Sequence, residues 1–383
     1  MKLEDLFVEV FKEKAEATYV APARINLIGE HIDYNGGKVL PCAISCFING
    51  YVSKRYDNQI VTYSTNYSNQ FYSDLNDIQY LKSNSWANYV FGVFKILKQE
   101  GYLIKNGLNI LIDSNIPLGS GLSSSAALLD LIIYIANDQF DLRLDLKTIA
   151  RLAQKTENEF CGLKCGIMDQ AAIALGKKDK AILLDCDKFE YEYKDVDLGD
   201  YSFVVLKTNT PRNLVESKYN VRVEECQTAL NKLKSVYHIN NLSELKVSDL
   251  KKAKTLLNDD VIYRRTKHVI TENDRVVRFT DALARKDIQA LGQILLESHQ
   301  SLKNDYGVTG IHLDTIVEAA MHAGAIGARM TGAGFGGCAI ALIKSNEFDS
   351  FKEKVNNYYF GRLQISPDVL RVDIVDGPKR IIK

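Results

Sequence analysis

GLNILIDSNIPLGSGLSSSAALLDLIIYIANDQF, residues 107–140, carries a strand, a tight turn and a helix in one continuous run. GLNILIDSNI is apolar and bounded by turn residues, as a buried strand should be, and SSSAALLDLIIYIANDQF reads as a helix entered through the glycine turn GSG. A glycine-bearing turn that delivers a strand into a helix leaves unpaired N–H groups and the positive end of the helix dipole at the junction, an arrangement that binds phosphate. Pro117, Gly119, Ser120, Gly121 and Leu122 would form such a loop, and the hydroxyls of Ser123, Ser124 and Ser125 could add hydrogen bonds or meet Mg²⁺. A plain serine-capped helix is the other reading, since no Walker lysine is present.

Upstream, residues 18–63 are strand-rich, with YVAPARINLI, KVLPCAISCFI and QIVTYS separated by turns at Asn35-Gly36-Gly37 and Asp57-Asn58. Leu3, Phe7, Val10 and Phe11 recur at helical spacing and predict an amphipathic N-terminal helix rather than a signal peptide. Residues 86–100 and 146–160 are helical in period, and AAIALGKKDKAILLDC predicts two short strands around a Gly-Lys-Lys-Asp turn. After the strand YSFVVLKT the pattern is mostly helical to Leu302, and the last eighty or so residues alternate helix and strand. The fold class is therefore α+β.

At 383 residues the chain exceeds the usual size of a single core, so two associated domains are expected, 1–195 and 196–383. Hydrophobic residues at 46% and charged ones at 25% describe a packed globular protein. Forty-eight basic residues balance forty-eight acidic ones, which leaves no field for nucleic acid or an anionic membrane and points to a small substrate. The most apolar stretch, Leu128 to Ala136, is far short of the roughly 20 residues of a membrane span and contains Asp130. Seven scattered cysteines suit reduced thiols in the cytoplasm. Cys161 and Cys165 are spaced like half a zinc site but have no second pair, so both are expected to be small buried thiols. The sequence leaves the oligomeric state open, with a monomer sufficient.

Three further segments concentrate chemistry. APARINLIGEHIDYNGG, residues 21–37, places Arg24, Asn26, Glu30, His31 and Asp33 among turn residues rather than on a packing face. Carboxylates and an imidazole in that density could orient a polyol, though a solvated hairpin loop would carry the same residues. In CGLKCGIMDQAA, residues 161–172, Asp169 follows Gly166 between apolar neighbours. A partly buried carboxylate needs a partner, and Arg24 would keep Asp169 ionised and available as a general base; a helix-capping aspartate is the alternative. RMTGAGFGGCAIALI, residues 329–343, contains G-x-G-x-x-G at Gly332, Gly334 and Gly337, but a strand rather than a helix follows, against a dinucleotide fold. Its glycines predict a backbone that closely approaches another loop or a substrate phosphate.

In order and spacing these motifs, together with SKY at 217–219, resemble the galactokinase branch of the galacto-homoserine-mevalonate-phosphomevalonate (GHMP) kinase superfamily over residues 20–345. The resemblance implies a two-domain GHMP-kinase-like fold. Its N-terminal mixed-sheet domain would resemble a ribosomal-protein-type β-α-β fold, its C-terminal α+β domain would be ferredoxin-like, and the active site would lie at their interface. It implies ATP-dependent phosphorylation of the C1 hydroxyl of galactose with Mg²⁺ as cofactor. Arg24 and Asp169 resemble the catalytic pair, and Glu30, His31, Asp33, Gly166, Asp169 and Tyr219 the sugar contacts. Pro117 and Gly119 to Ser125 resemble the phosphate loop, Ser124, Ser125 and Glu157 the magnesium ligands, and Trp86 an aromatic near adenine. Ala23 and Ile32 depart from the usual glycine and threonine. Because Ile32 also occurs in N-acetylgalactosamine kinases, that sugar is an alternative substrate, and a galactose- and ATP-binding regulator is a rival without catalysis.

Overall fold

The computed structural model describes residues 2–82, 85–210 and 215–382, the side chains of 215–217 excepted. Ser217 of the SKY motif is thus described in its backbone alone. The chain opens with helix α1 (Leu3–Phe11), which buries Phe7, and enters β1 (Ala17–Asn26). A 3-10 turn, Asp33–Asn35, leads to β2 (Lys38–Val39), the long β3 (Pro41–Lys54), β4 (Gln59–Ser64) and β5 (Asn69–Asp74). Then come α2 (Ala87–Gln99), β6 (Leu108–Ser114), α3 (Ser124–Phe140) and α4 (Leu146–Lys155), which a π-turn, Thr156–Phe160, prolongs. Helix α5 (Met168–Ala174) precedes β7 (Lys180–Asp185), β8 (Glu190–Asp195) and β9 (Tyr201–Lys207). A helical block follows: α6 (Val215–Tyr237), α7 (Leu250–Leu257), α8 (Asp260–Ala284), α9 (Ile288–Ser301) and α10 (Gly310–His322). β10 (Gly327–Thr331), β11 (Cys338–Lys344), α11 (Phe348–Leu363), β12 (Asp368–Arg371) and β13 (Lys379–Ile381) complete it.

Six strands form a mixed sheet in the order β13-β1-β3-β6-β4-β5, antiparallel except for the β4 and β6 pair. Helix α3 packs on it. From Ala126 through Ala136 all of its residues but the half-buried Tyr134 are buried, as expected of a helix apolar on nearly every side. Gly50 of β3 allows the approach, since a Cβ there would lie 2.8 Å from Cδ1 of Ile135. Four antiparallel strands, β10-β11-β9-β12, form a second sheet. One face, with Val204, Leu206, Ala339 and Ala341, packs on Ile316, Ala320 and Val355 of α10 and α11; the other joins the main core through Val205, Ile340 and Leu342. The final strand β13 returns to the first sheet beside β1.

The AAIAL run is not a strand. It lies in α5, where Ala171, Ala172, Ile173 and Ala174 are all buried, and only β7 follows the turn. A short helix buried on all sides has no polar face to reveal a 3.6-residue period, and alanine favours the helix. The GAGFGG segment joins β10 to β11 as a hairpin, with Thr331 opposite Cys338, in agreement with the reading against a dinucleotide fold. Cys161 and Cys165 are partly exposed rather than buried, because they flank a loop at a cavity mouth. Among the described residues no helix is long and apolar enough to cross a membrane.

Candidate functional site

Strand β1 shifts register between Pro22 and Ala23, just before Arg24. Such a bulge re-aims the side chains that follow it. Arg24 Nε donates to Asp169 Oδ1 and Nη2 to Oδ2, both at 2.8 Å, while Nη1 donates to the carbonyl of Gly121 at 2.9 Å. Residues 145 positions apart thus form a bidentate pair. The arginine side chain is 3% exposed and the aspartate 31%, so the carboxylate is the member that faces solvent. The Ser123 hydroxyl also donates to Asp169 Oδ2. A carboxylate has about four lone-pair positions, and three are filled. Asp169 lies in the first turn of α5 but is not its cap, which is Ile167.

The loop after β1 is held from outside. Glu272 of α8 accepts from the backbone N–H of Gly29 and of Glu30, at 3.0 and 3.2 Å. Arg329 of β10, fully buried, donates to Glu30 Oε2 at 2.8 Å and to the carbonyls of Asn26 and Leu27. Burial pushes the Glu30 carboxyl up, against the pull of Arg329 and Arg24. His31 lies between a tyrosine and a carbonyl: its Nδ1 is 2.9 Å from the Tyr34 hydroxyl and its Nε2 is 3.2 Å from the Ala333 oxygen. Burial holds the imidazole down at about 3, so it is neutral. The Nε2–H then donates to the carbonyl and Nδ1 accepts from the phenol. Both nitrogens are used within the protein, and His31 shapes the cavity beside the Tyr219 ring, 5.6 Å away between centroids. Burial and the charge of Asp169 push Asp33 up to about 7. Gly166 has to be glycine here, since a Cβ would overlap Asp33 Oδ2.

The serine loop meets this pair at the start of α3. Ser123, the residue before the helix, is left-handed at φ 60° and makes no side-chain cap, because its hydroxyl is committed to Asp169. The first-turn N–H groups are therefore open to an anion, and the capped-helix reading falls. Arg24 N–H donates to the Leu122 carbonyl, and Ser120 Oγ accepts from Leu122 N–H, so Ser120 and Leu122 shape the loop from beneath. Glu157, on the π-turn, accepts from Gln170 Nε2 at 2.6 Å. Burial pushes it up to about 7, opposed by a hydrogen bond from Ser125.

These groups line one cavity of about 370 Å³. Of the residues singled out in the sequence, Arg24, Glu30, His31, Asp33, Gly119, Gly121, Ser123, Ser124, Ser125, Glu157, Gly166, Asp169 and Tyr219 all reach it. Pro117, Ser120, Leu122 and Trp86 do not. Trp86 instead stacks on Tyr67 at 6.4 Å and donates from Nε1 to Asn69 Oδ1. Lys164, Cys165, Asn220, Gly332 and Ala333 also line the cavity, beyond the candidates that the sequence predicts. Gly332 could be suspected from its hairpin, whereas a single lysine or asparagine in a loop has no pattern to announce it. Among the described residues no cluster of three His, Cys, Asp or Glu could chelate a metal. Glu157 with the hydroxyls of Ser124 and Ser125 can supply part of a shell that phosphate oxygens complete, which is how Mg²⁺ is commonly held. The arrangement can orient a polyol, hold a polyphosphate and take a proton between them.

Comparison with known proteins points the same way. Residues 88–177 match the GHMP kinases N terminal domain, 279–361 the GHMP kinases C terminal domain and 5–54 the galactokinase galactose-binding signature. The chain is 43% identical to a galactokinase of Clostridium acetobutylicum, covering 99% of this chain and 98% of that one. It is 46% identical to one of Clostridium tetani, at 99% and 97% coverage. Its structure resembles that of Lactococcus lactis galactokinase complexed with galactose, with a TM-score of 0.96, 39% identity and 99% of each chain covered. A mevalonate kinase shares the fold at a TM-score of 0.67 and 19% identity, covering 93% of this chain and 99% of that one.

Proposed function

The chain belongs to the galactokinase family of the GHMP kinases, and on that premise we propose that Asp169 and Arg24 carry the transfer of the ATP γ-phosphoryl group to the C1 hydroxyl of galactose. The enzyme is an ATP-dependent sugar kinase of α+β GHMP fold. One observation supports the assignment of its chemistry above the others: the bidentate Arg24–Asp169 pair opens on the same cavity as the uncapped start of α3.

In this account galactose lies against Gly166, Asp33, Glu30 and Tyr219, with His31 as a neutral wall. The one acceptor direction left on Asp169 takes the C1 hydroxyl proton as that oxygen attacks phosphorus in line. Arg24 fixes the carboxylate and places positive charge beside the phosphoryl group. The open N–H groups from Ser124 onward hold phosphate oxygens, with Gly119 and Gly121 giving the loop its turn. Glu157, Ser124 and Ser125 fit a magnesium ion, which when bound supplies charge neutralisation to the phosphates. Trp86, outside the cavity lining, is placed near adenine by the resemblance alone. All of these groups come from one chain, so a monomer suffices, and seven cysteines held as thiols rather than disulfides support a cytoplasmic setting.

Galactose is favoured over N-acetylgalactosamine. Ile32, the residue that raised the alternative, is fully buried against Gly37 and does not line the cavity. The test is a coupled ADP assay with each sugar alone and in competition, with the product's reducing end titrated. ADP release with galactose and loss of reducing power are expected. A product that still reduces would overturn phosphorylation at C1, and preference for the acetamido sugar would overturn galactose.

A further inference from the structure

Among the described residues the cavity is lined by four carboxyl groups, from Glu30, Asp33, Glu157 and Asp169, and by two cations, Arg24 and Lys164. Glu30 is neutralised by Arg329 and Asp169 by Arg24, whose three hydrogen-bonded nitrogens are directed at Asp169 and Gly121. His31 is neutral. Lys164 forms no ion pair with another described residue, although its neighbours are firmly held. Leu163 N–H donates to the Glu157 carbonyl at 3.0 Å, and Cys165 N–H donates to Asn158 Oδ1 at 3.0 Å. Gln154 Nε2 donates to the Cys165 carbonyl at 3.2 Å. The backbone on both sides of Lys164 is thus tied to helix α4 and to the turn that bears Glu157, while the side chain is left exposed at the cavity.

We propose that Lys164 binds the terminal phosphoryl group of ATP, so that it is a substrate-binding residue of this chain beyond the serine loop. The reading rests on the kinase assignment above. An ammonium on a flexible stem is a point charge with three donors, which suits the rotating oxygens of a phosphoryl group better than a fixed sugar hydroxyl. Its loop is anchored on the Glu157 side of the cavity and continues through Gly166 to Asp169, so it spans the line between polyphosphate and acceptor. A dianionic group entering among carboxylates gains most from a cation that no carboxylate has claimed, and among the described lining residues that cation is Lys164. Lys164 makes and breaks no covalent bond in this role.

The test compares Lys164→Gln and Lys164→Arg with the parent enzyme by calorimetric binding of ADP and of the β,γ-imido analogue of ATP, with KM for ATP and for galactose measured alongside. Thermal melting checks that each variant is folded. Lys164→Gln should weaken analogue binding by about tenfold to a hundredfold, the scale of a charge-assisted hydrogen bond. It should leave ADP binding and the galactose KM within about twofold, and Lys164→Arg should restore most of the loss. Equal weakening of ADP and analogue, an unchanged analogue affinity, or a change confined to the galactose KM would each overturn the proposal. Analogue binding is read without turnover, so failure of the kinase assignment would show separately as absence of ADP release by the parent enzyme.

Discussion

Arg24 directs three nitrogens at two partners, and lysine cannot span both oxygens of Asp169 and the Gly121 carbonyl together. Arg24→Lys should therefore lower kcat by about a hundredfold with little change in melting temperature; a kcat within twofold of the parent would remove Arg24 from the chemistry. Glu157 gives a pH dependence of definite sign. Its carboxyl is raised to about 7, so below that pH it carries a proton, which a cation would have to displace if Glu157 is the magnesium ligand proposed above. The apparent affinity for Mg·ATP should fall about tenfold per pH unit below 7 and level off above it. Asp33 titrates in the same window, so Glu157→Gln is the control, and calorimetry across buffers should show its pH slope lost. A slope that survives in Glu157→Gln would assign the effect elsewhere. At this scale the sequence was most legible where burial forced a partner. A buried arginine and a partly buried aspartate imply each other. The bonds that occupy both nitrogens of His31 arise from residues as distant as Ala333, and no local pattern carries them.

The turn before α3 stores strain for function. Ser123 adopts a left-handed conformation that a glycine would accept more easily, and it does so with its hydroxyl on Asp169. Alanine there would lose the hydroxyl and keep the strain, whereas glycine would lose the hydroxyl and release it. Ser123→Gly should be more stable than Ser123→Ala by about 0.5–1 kcal/mol in denaturant unfolding. The reverse order would mean the turn is unstrained. Strands with alternating burial, such as β4, and the long helices were readable from period alone. Helix α5 shows the limit, since a helix wrapped by other elements loses the polar face from which its period could be recognised. Trp86, which only the resemblance places near adenine, lies outside the cavity lining, stacked on Tyr67.

Across the molecule, the six-stranded and four-stranded sheets meet where Arg329 of β10 reaches the end of β1 and the Glu30 loop. Neither side chain is accessible, so removing one partner leaves the other charge buried and unpaired. Arg329→Met should cost about 3–5 kcal/mol of unfolding free energy and weaken galactose binding in whatever protein remains folded. A loss below about 1 kcal/mol would show that the junction relies on packing alone. This cross-sheet tie joins residues 299 positions apart, beyond what periodicity or turn chemistry can reveal. The ordered series of motifs nevertheless identified the fold, because each glycine and carboxylate in it answers a steric or charge demand made by a distant segment.

Asp169 is the proposed proton acceptor, and Asp169→Asn keeps its size while removing its basicity. Steady-state turnover with galactose and ATP, measured beside calorimetric binding of both ligands, tests it most directly. We expect kcat to fall by about 10²–10⁴-fold with galactose and ATP-analogue affinities held within a few-fold. Turnover within about threefold of the parent enzyme, with the same affinities, would contradict it.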